Sequence, residues 1–507
     1  MVSKDKIVKF LNKIHLPHWL TILLAIVLIL RIPSFFEPYS YGDEMIYLTL
    51  GEAIRRGVPL YKSIHDNKPP LLYVLAAIAG SLFWFKVILA AWMLITIVLF
   101  WKFSQVLFPK RTRLQKTATI IFALLTTIPL LEGNIANAEL FMIGPIIAAF
   151  WLLFSKKLNP KNLFSAGLLF SLAALFKVPA AFDLPTIIFL WLTGAGFKTK
   201  KLKSVVKNTS YLALGFVVPI TLTIAWFALR GALSEYLTAA FLQNLGYLSS
   251  WRPGDIREPF LIRNGPLLVR AAIVAIGLLI LYWKRKKLSR QFIFLATWLL
   301  FSLFAVTLSE RPYPHYLIQT VPTISFFLAI LFTNKSLEQS LSIIPLALAF
   351  FVPVYFKFWF YPTASYYLRF VRFSIGQMSQ DSYLRTFGNH IPRNYEIAKL
   401  ISQSTERREK VFVWGSDAVI YALSRRLPPI KYVANYHIND FSSKDEVARA
   451  LAKDQPKLIV LLPEAPNFPQ IVPLLRESYI LISTLEGVEV WLQISPEIQA
   501  KLLPGTI

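Results

Sequence analysis

The sequence predicts a polytopic α-helical membrane protein of about eleven transmembrane helices followed by a small α/β soluble domain. Three observations carry this expectation. The chain of 507 residues is 55% hydrophobic and 15% aromatic, with a mean hydropathy of +0.52, well above that of a soluble globule. Apolar stretches long enough to cross a bilayer, about 17–25 residues each, recur until roughly residue 357. After Phe358 the pattern changes to short helix-like and strand-like runs in alternation.

In chain order, the N-terminus carries Lys4, Lys6, Lys9 and Lys13 before an apolar run from Trp19 to Phe36. It has no small-residue cleavage site and reads as an uncleaved signal anchor. Spans are placed near 17–36, 84–107, 117–131, 140–154, 162–177, 180–195, 209–229, 266–283, 291–308, 314–332 and 340–357. Leu71 to Phe83 is too short to cross. Counting it as a span would invert every later loop, so it reads as re-entrant or interfacial. Lysine and arginine then collect in alternate loops: Lys110, Arg111, Arg113 and Lys116 with Lys156, Lys157 and Lys161; Lys198 to Lys207; and Lys284 to Arg290. The other loops mix signs, as in Arg230, Glu235, Arg252, Asp255, Arg257, Glu258 and Arg263. By the positive-inside rule the N-terminus is cytoplasmic, and the first loop and the tail face outward across the plasma (inner) membrane.

The same loops account for the net charge of +26. In a soluble chain that charge would point to nucleic acid; here no nucleic-acid partner is expected. The absence of cysteine excludes disulfides and thiolate metal sites. In the tail, helix-like runs (Tyr395–Ser404, Asp417–Arg425, Ser443–Lys453) alternate with strand-like ones (Lys410–Trp414, Lys431–Val433, Lys457–Leu462, Gly487–Gln493), which predicts a mostly parallel sheet. The division is 1–358 for the membrane domain, with a first outer loop at 37–83, and 359–507 for the soluble domain. No internal repeat and no glycine-rich phosphate loop is present.

Charged groups at a membrane edge are costly and therefore functional candidates. The outer face gathers Asp43, Glu44, His65, Asp66 and Lys68 in the first loop; Glu132, Asn134, Asn137 and Glu139 in the next; Lys177 and Asp183 around a kink; and Glu310, Arg311, His315 and Tyr316 near the last spans. Each has a plain structural reading. Asp43 is placed to cap a helix, Lys68 to snorkel beside an apolar run, His315 to bond backbone at the interface, and tyrosines to belong to the aromatic belt. Their gathering on one face is the stronger observation.

The stretch "YGDEMIYLTLGEAIRRGVPLYKSIHDNKPPLLYVL", Tyr41 to Leu75, resembles the first outer loop of the GT-C membrane glycosyltransferases. The likeness is to bacterial relatives of dolichyl-phosphate-mannose–protein mannosyltransferase (glycosyltransferase family 39) and of the lipid A aminoarabinose transferase. That loop runs from an Asp-Glu pair, through a tyrosine and an Asp-bearing turn, to Lys-Pro-Pro. "NIANAELFM", "RPYPHYLIQTVP" and the tail segment "VFVWGSDAVIYALSRRLP" are similar to parts of the same group. The resemblance implies transfer of a sugar from a polyprenyl-phosphate donor to a lipid, glycan or protein acceptor on the non-cytoplasmic face. On that reading Asp43 is the base for the acceptor hydroxyl and Glu44 orients the acceptor or Asp43 itself. Lys68, Arg311 and His315 meet the donor phosphate. Arg31, deep in the first span, either reaches that phosphate or snorkels. His65, Asp66, Glu139, Tyr316 and Lys177 are further site candidates. The metal-dependent oligosaccharyl branch of this superfamily carries an acidic DxD in the second outer loop, where this chain has Asn-Ile-Ala-Asn-Ala-Glu. No cofactor is expected, although a divalent cation held through His65 and Asp66 stays open. The alternative is a transporter or flippase of lipid-linked sugars, for which broken helices and midplane charges are the signature; a polysaccharide ligase or polymerase is a third reading.

Overall fold

The computed structural model describes residues 16–196, 198–243, 259–309, 311–333, 336–416 and 418–494. The N-terminal lysines, Arg252, Asp255, Arg257, Glu258, Glu310 and Asp417 lie outside the described residues, and the Arg263 side chain is not described. Among the described residues nine helices are long and apolar enough to cross a membrane: His18–Phe36, Leu82–Leu107, Ala138–Ser155, Val178–Ala195, Thr199–Leu229, Gly265–Lys284, Arg290–Thr307, Pro314–Thr333 and Leu337–Tyr355. These correspond to nine of the eleven expected spans. The other two are shorter. Residues Pro160–Phe176 form a 17-residue apolar helix. The stretch expected at 117–131 is the 14-residue helix Thr112–Leu125, followed by one 3-10 turn at Pro129–Leu131. Pro129 lacks an N–H and disfavours helix in the residue before it, which stops the helix early. Fourteen residues rise about 21 Å, against a hydrocarbon core of roughly 30 Å.

Between the first two spans the outer loop folds into two helices, Gly42–Arg55 and Leu71–Ala79. The second has nine residues and ends at Gly80, in the left-handed conformation, so it is far too short to cross. The two helices touch backbone to backbone at Gly51, where an added Cβ would sit 2.7 Å from the Ala76 carbonyl carbon. That close approach needs a glycine.

The tail carries a four-stranded sheet of β1 (Val411–Trp414), β2 (Leu458–Leu461), β3 (Tyr479–Leu485) and β4 (Val488–Gln493), in the order β1-β2-β4-β3. Only β1 and β2 pair parallel; β2–β4 and β3–β4 are antiparallel. This corrects the expectation of a mostly parallel sheet. The physical reason is the Glu486-Gly487 turn, both residues at positive φ, which is the geometry that joins two adjacent strands directly. The expected strand at Lys431–Val433 does not form, because the Lys431 carbonyl accepts the His65 N–H of the first loop at 2.7 Å instead of a sheet partner. The expected helices form as Ile391–Ser404, Val419–Ser424 and Lys444–Lys453. The last has Ser443 as its cap, accepting the Glu446 N–H at 3.2 Å.

The tail packs onto the first loop rather than standing clear of it. One continuous apolar core includes Leu50 and Ala53 of the loop together with Ile397, Val419 and Ile420 of the tail. Polar ties reinforce it: Arg407 bonds Glu52 at 2.8 Å, and the Tyr39 N–H donates to the Tyr395 hydroxyl at 3.0 Å.

Candidate active site

Asp43 lies in the first turn of the Gly42–Arg55 helix, and Lys68 stands just before Leu71–Ala79. The Tyr47 hydroxyl, one turn on, donates to Asp43 Oδ2 at 2.8 Å, and Lys68 Nζ is 3.7 Å from the same oxygen. Lys68 Nζ is also 3.8 Å from Asp66 Oδ2 and 5.0 Å from the centre of the Tyr47 ring. The Lys68 backbone is pinned on both sides: its N–H donates to the Tyr73 hydroxyl at 3.1 Å and its carbonyl accepts from Tyr61 at 2.7 Å. Tyr73 in turn donates to Asp66 at 2.8 Å. Lys68 is therefore not a snorkelling flank, since its ammonium turns inward between two carboxylates. Burial alone would raise the Asp43 carboxyl, but Lys68 and then His315 outweigh it and hold it below the usual carboxylate value. Asp66 behaves alike: burial opposes, while Lys68 and then His437 prevail, helped by Tyr73 and the Asn67 N–H. Both acids are ionised at neutral pH and share one ammonium.

A second polar chain faces them. Glu132 sits at a left-handed bend, φ 58°, after Pro129–Leu131. It is paired with His315 Nδ1 and accepts from Tyr41 at 2.9 Å and from Asn137 at 3.3 Å. His315 Nε2 lies 3.9 Å from Glu139, which is itself paired with Lys177. Lys177 Nζ rests 3.6 Å from the centre of the Tyr316 ring. The sequence Lys177–Glu139–His315–Glu132–Tyr41 is thus a continuous line of alternating charge ending in a phenol.

These groups border two cavities. One, about 520 Å³, is lined by Asp43, Asp66, Lys68, Arg311, His315 and Tyr316 from the membrane part and by Ser416, Tyr436, His437 and Asp440 from the tail. The other, about 200 Å³, is lined by Glu139 and Lys177 and by apolar residues including Val178, Phe182, Phe241 and Val306. Asn67, Lys68 and Tyr316 line both.

Five expected candidates stand elsewhere or in other roles. Glu44 is buried away from both cavities, accepting the Ala136 N–H at 2.6 Å and pairing with Lys86 at 2.7 Å; Lys86 also meets Glu37 at 2.8 Å. It clamps the first two outer loops together. Arg31 neither snorkels nor reaches the cavity: its guanidinium is buried and donates to the Gly133 and Thr126 carbonyls at 3.0 and 2.8 Å. It shapes the bend that presents Glu132. The His65 ring packs among Tyr432, His437 and Phe441. Burial first, then His437, pushes its pKa down to about 4, so it is neutral. His315 lines the cavity, but its two nitrogens are directed at Glu132 and Glu139. Asp183, read from sequence as an outer-loop charge, is instead inside the bundle, accepting from Trp298, Ser302 and Gln319.

The residues that sequence reasoning passed over are aromatic or come from the tail. Tyr41, Tyr313, Trp359 and Tyr361 line the cavity, although tyrosine and tryptophan near membrane edges read as belt residues. His437 Nε2 is 3.6 Å from Asp66, across more than 350 residues of chain, and no linear signal announces it. Among the described residues no group of three or more His, Asp or Glu side chains is placed to hold a metal ion. Asp43, Asp66, Glu132 and Glu139 each face a basic side chain.

The fold is that of a polytopic helical membrane protein with a small α/β domain packed on its first loop, and solved structures share it. ArnT from Cupriavidus metallidurans shares the architecture. Bound to undecaprenyl phosphate, it matches with a TM-score of 0.59 at 14% identity, over 94% of this chain and 98% of that one. Its apo state matches with a TM-score of 0.55 at 15% identity and the same coverage. The archaeal oligosaccharyltransferase AglB from Archaeoglobus fulgidus, in complex with an inhibitory peptide and a dolichol-phosphate, aligns at 12% identity over 88% of this chain and 69% of its own, with a TM-score of 0.44. At these identities the ArnT likeness establishes the fold, and the AglB likeness is too weak to add to it. No protein-family model matches the sequence, and no curated protein matches it.

Proposed function

We propose that the protein is an inverting glycosyltransferase that moves a sugar from a polyprenyl-phosphate donor to a lipid, glycan or protein acceptor. The observation that carries this reading is the shared wall of the two cavities. Lys68 stands where an apolar groove meets a polar chamber, 3.7 Å from the carboxylate of Asp43. The prenyl chain lies in the groove, the phosphate meets Lys68 and Arg311, and the sugar enters the chamber between Lys68 and Asp43. That insertion breaks the resting pair. Once phosphate claims the ammonium, Asp43 loses the charge that held its pKa down and becomes a better base, at the moment a base is needed. The acceptor hydroxyl gives its proton to Asp43 and its oxygen attacks the anomeric carbon. The bond to phosphate breaks, and the leaving dianion is held by the two cations. His315, Glu132 and Glu139 hold the facing wall in place. The ArnT match is to a structure bound to undecaprenyl phosphate, which supports the donor class.

We place the cavity on the outer face, because the basic loops occupy the other end of the same helices. The test is turnover in detergent with a polyprenyl-phosphate sugar. A transferase releases free polyprenyl phosphate in step with glycosylated acceptor. A protein that only translocates the lipid releases none, and that outcome would replace this reading with the flippase one.

A further inference from the structure

At the far end of the bundle a second polar cavity, about 410 Å³, has no part in the site described above. The two helices that wall the apolar groove end there. Val178–Ala195 contributes Val178 and Phe182 to the groove but Leu190, Trp191 and Ala195 to the far cavity. Arg290–Thr307 contributes Ala305 and Val306 to the groove but Arg290 and Ile293 to the far cavity. The facing lining residues, Phe182 and Leu190 on one helix and Ile293 and Ala305 on the other, are separated by a rise of about 12–18 Å, so the two cavities lie toward opposite ends of these helices.

Three cations, Lys201, Arg285 and Arg290, line this far cavity, and no acid does. None of the three forms an ion pair among the described residues. Glu338, from the Leu337–Tyr355 span, accepts the Ser289 N–H at 2.7 Å. Arg285 is held in place, its Nη1 donating to the Tyr282 carbonyl at 2.7 Å and its guanidinium lying 4.0 Å from that ring. Thr193, Ser204 and Asn208 add hydrogen-bonding groups beside an apolar wall of Leu190, Trp191, Val205 and Ile293. Snorkelling accounts for single cations at an interface. It does not account for three converging on one concavity whose described lining holds no acid, with Glu338 the neighbouring carboxylate. Basic pockets of this kind between spans bind anionic headgroups.

We propose that this cavity binds the phosphate of an anionic phospholipid from the adjoining leaflet, with the acyl chains along the apolar wall. The inference is independent of the transferase reading. The test uses the full chain in detergent, with native mass spectrometry and melting midpoints read against dioleoylphosphatidylglycerol, dioleoylphosphatidylcholine and inorganic phosphate. Phosphatidylglycerol should be retained as one molecule per chain and raise the midpoint, while phosphatidylcholine and inorganic phosphate should not. Each cation near an anionic lipid is worth roughly fivefold in affinity, so the Arg285→Gln/Arg290→Gln pair should weaken binding about 25-fold. Lys156→Gln/Lys157→Gln, basic residues outside the cavity, should leave it unchanged. If the double variant is not recovered as monodisperse protein, Lys201→Gln at its exposed position should show the single fivefold loss. Equal losses in the control pair, equal retention of phosphatidylcholine, an equal shift with inorganic phosphate, or undiminished binding in the cavity variants would each overturn the proposal.

Discussion

Replacing Asp43 with asparagine separates chemistry from folding at the centre of the site. The Tyr47 hydroxyl can still donate to the amide oxygen, and Lys68 keeps Asp66 at 3.8 Å. What is lost is one charge at 3.7 Å from Lys68, on a side chain that is 32% exposed. Screening at that exposure leaves the pair worth about 1 kcal/mol or less, so the melting midpoint should move by no more than a few degrees. The loss in rate should be much larger. A positioned base contributes about 10²–10⁴-fold, which is about 3–5 kcal/mol of barrier. The assay is single-turnover release of polyprenyl phosphate, measured beside the midpoint on the same preparation. Because Lys68 and His315 hold the Asp43 carboxyl down, the acid limb of kcat/KM in the wild type should fall below the usual aspartate range. More than a tenth of the wild-type rate in Asp43→Asn, with an unchanged midpoint, would refute Asp43 as the base.

Glu44 should show the opposite profile. In Glu44→Gln the Ala136 N–H keeps an acceptor and Lys86 keeps Glu37, so stability should drop by about 1–3 kcal/mol while the rate per folded molecule stays within about threefold. Lys86→Met leaves Glu37 and Glu44 without their shared cation and should cost more, about 3–5 kcal/mol by denaturant unfolding. His65 gives a pH signature. Its pKa falls to about 4 on folding from about 6.5 in the unfolded chain, so the unfolded state binds the extra proton between those values. Stability should therefore decline as pH falls from about 6.5 to 4, by about 3 kcal/mol from this group, and His65→Phe should flatten that limb. EDTA-washed protein should keep its rate, and added Mn²⁺ or Zn²⁺ should not raise it. A severalfold loss restored by one cation would make the first-loop acids ligands, with Glu139 as partner.

What the sequence made legible follows from which interactions are local. Nine spans, the short Leu71–Ala79 helix and the gathering of Asp43, Lys68, Glu139, Lys177 and His315 depend on hydropathy, loop charge and proline, all of which act over a few residues. The missed strand β3 and the misplaced strand at Lys431–Val433 depended on a two-residue turn and on one hydrogen bond to His65, 366 positions upstream of Lys431. The surroundings of Glu44 and Arg31 were not legible for a related reason. A carboxylate beside a catalytic one, or an arginine inside a span, looks alike in sequence whether it faces a cavity or a buried carbonyl. The partners that decide, Lys86 for Glu44 and Gly133 and Thr126 for Arg31, sit 42 to 102 positions away. The contribution of His437 and Tyr436 to the cavity required the tail to be docked before it could be seen.

The central claim, that Lys68 and Arg311 receive a lipid phosphate where the groove meets the chamber, is tested most directly by equilibrium binding of undecaprenyl phosphate to purified wild type, Lys68→Ala and Arg311→Ala. No sugar need be known for this measurement. Losing one charged hydrogen bond costs about 1.5–3 kcal/mol, so each variant should bind roughly 10- to 150-fold more weakly. Arg311→Lys should also weaken binding, because the planar fork is lost although the charge is kept. Unchanged affinity in both alanine variants would contradict the account and place the phosphate elsewhere, with Lys177 in the groove lining as the next cation to remove.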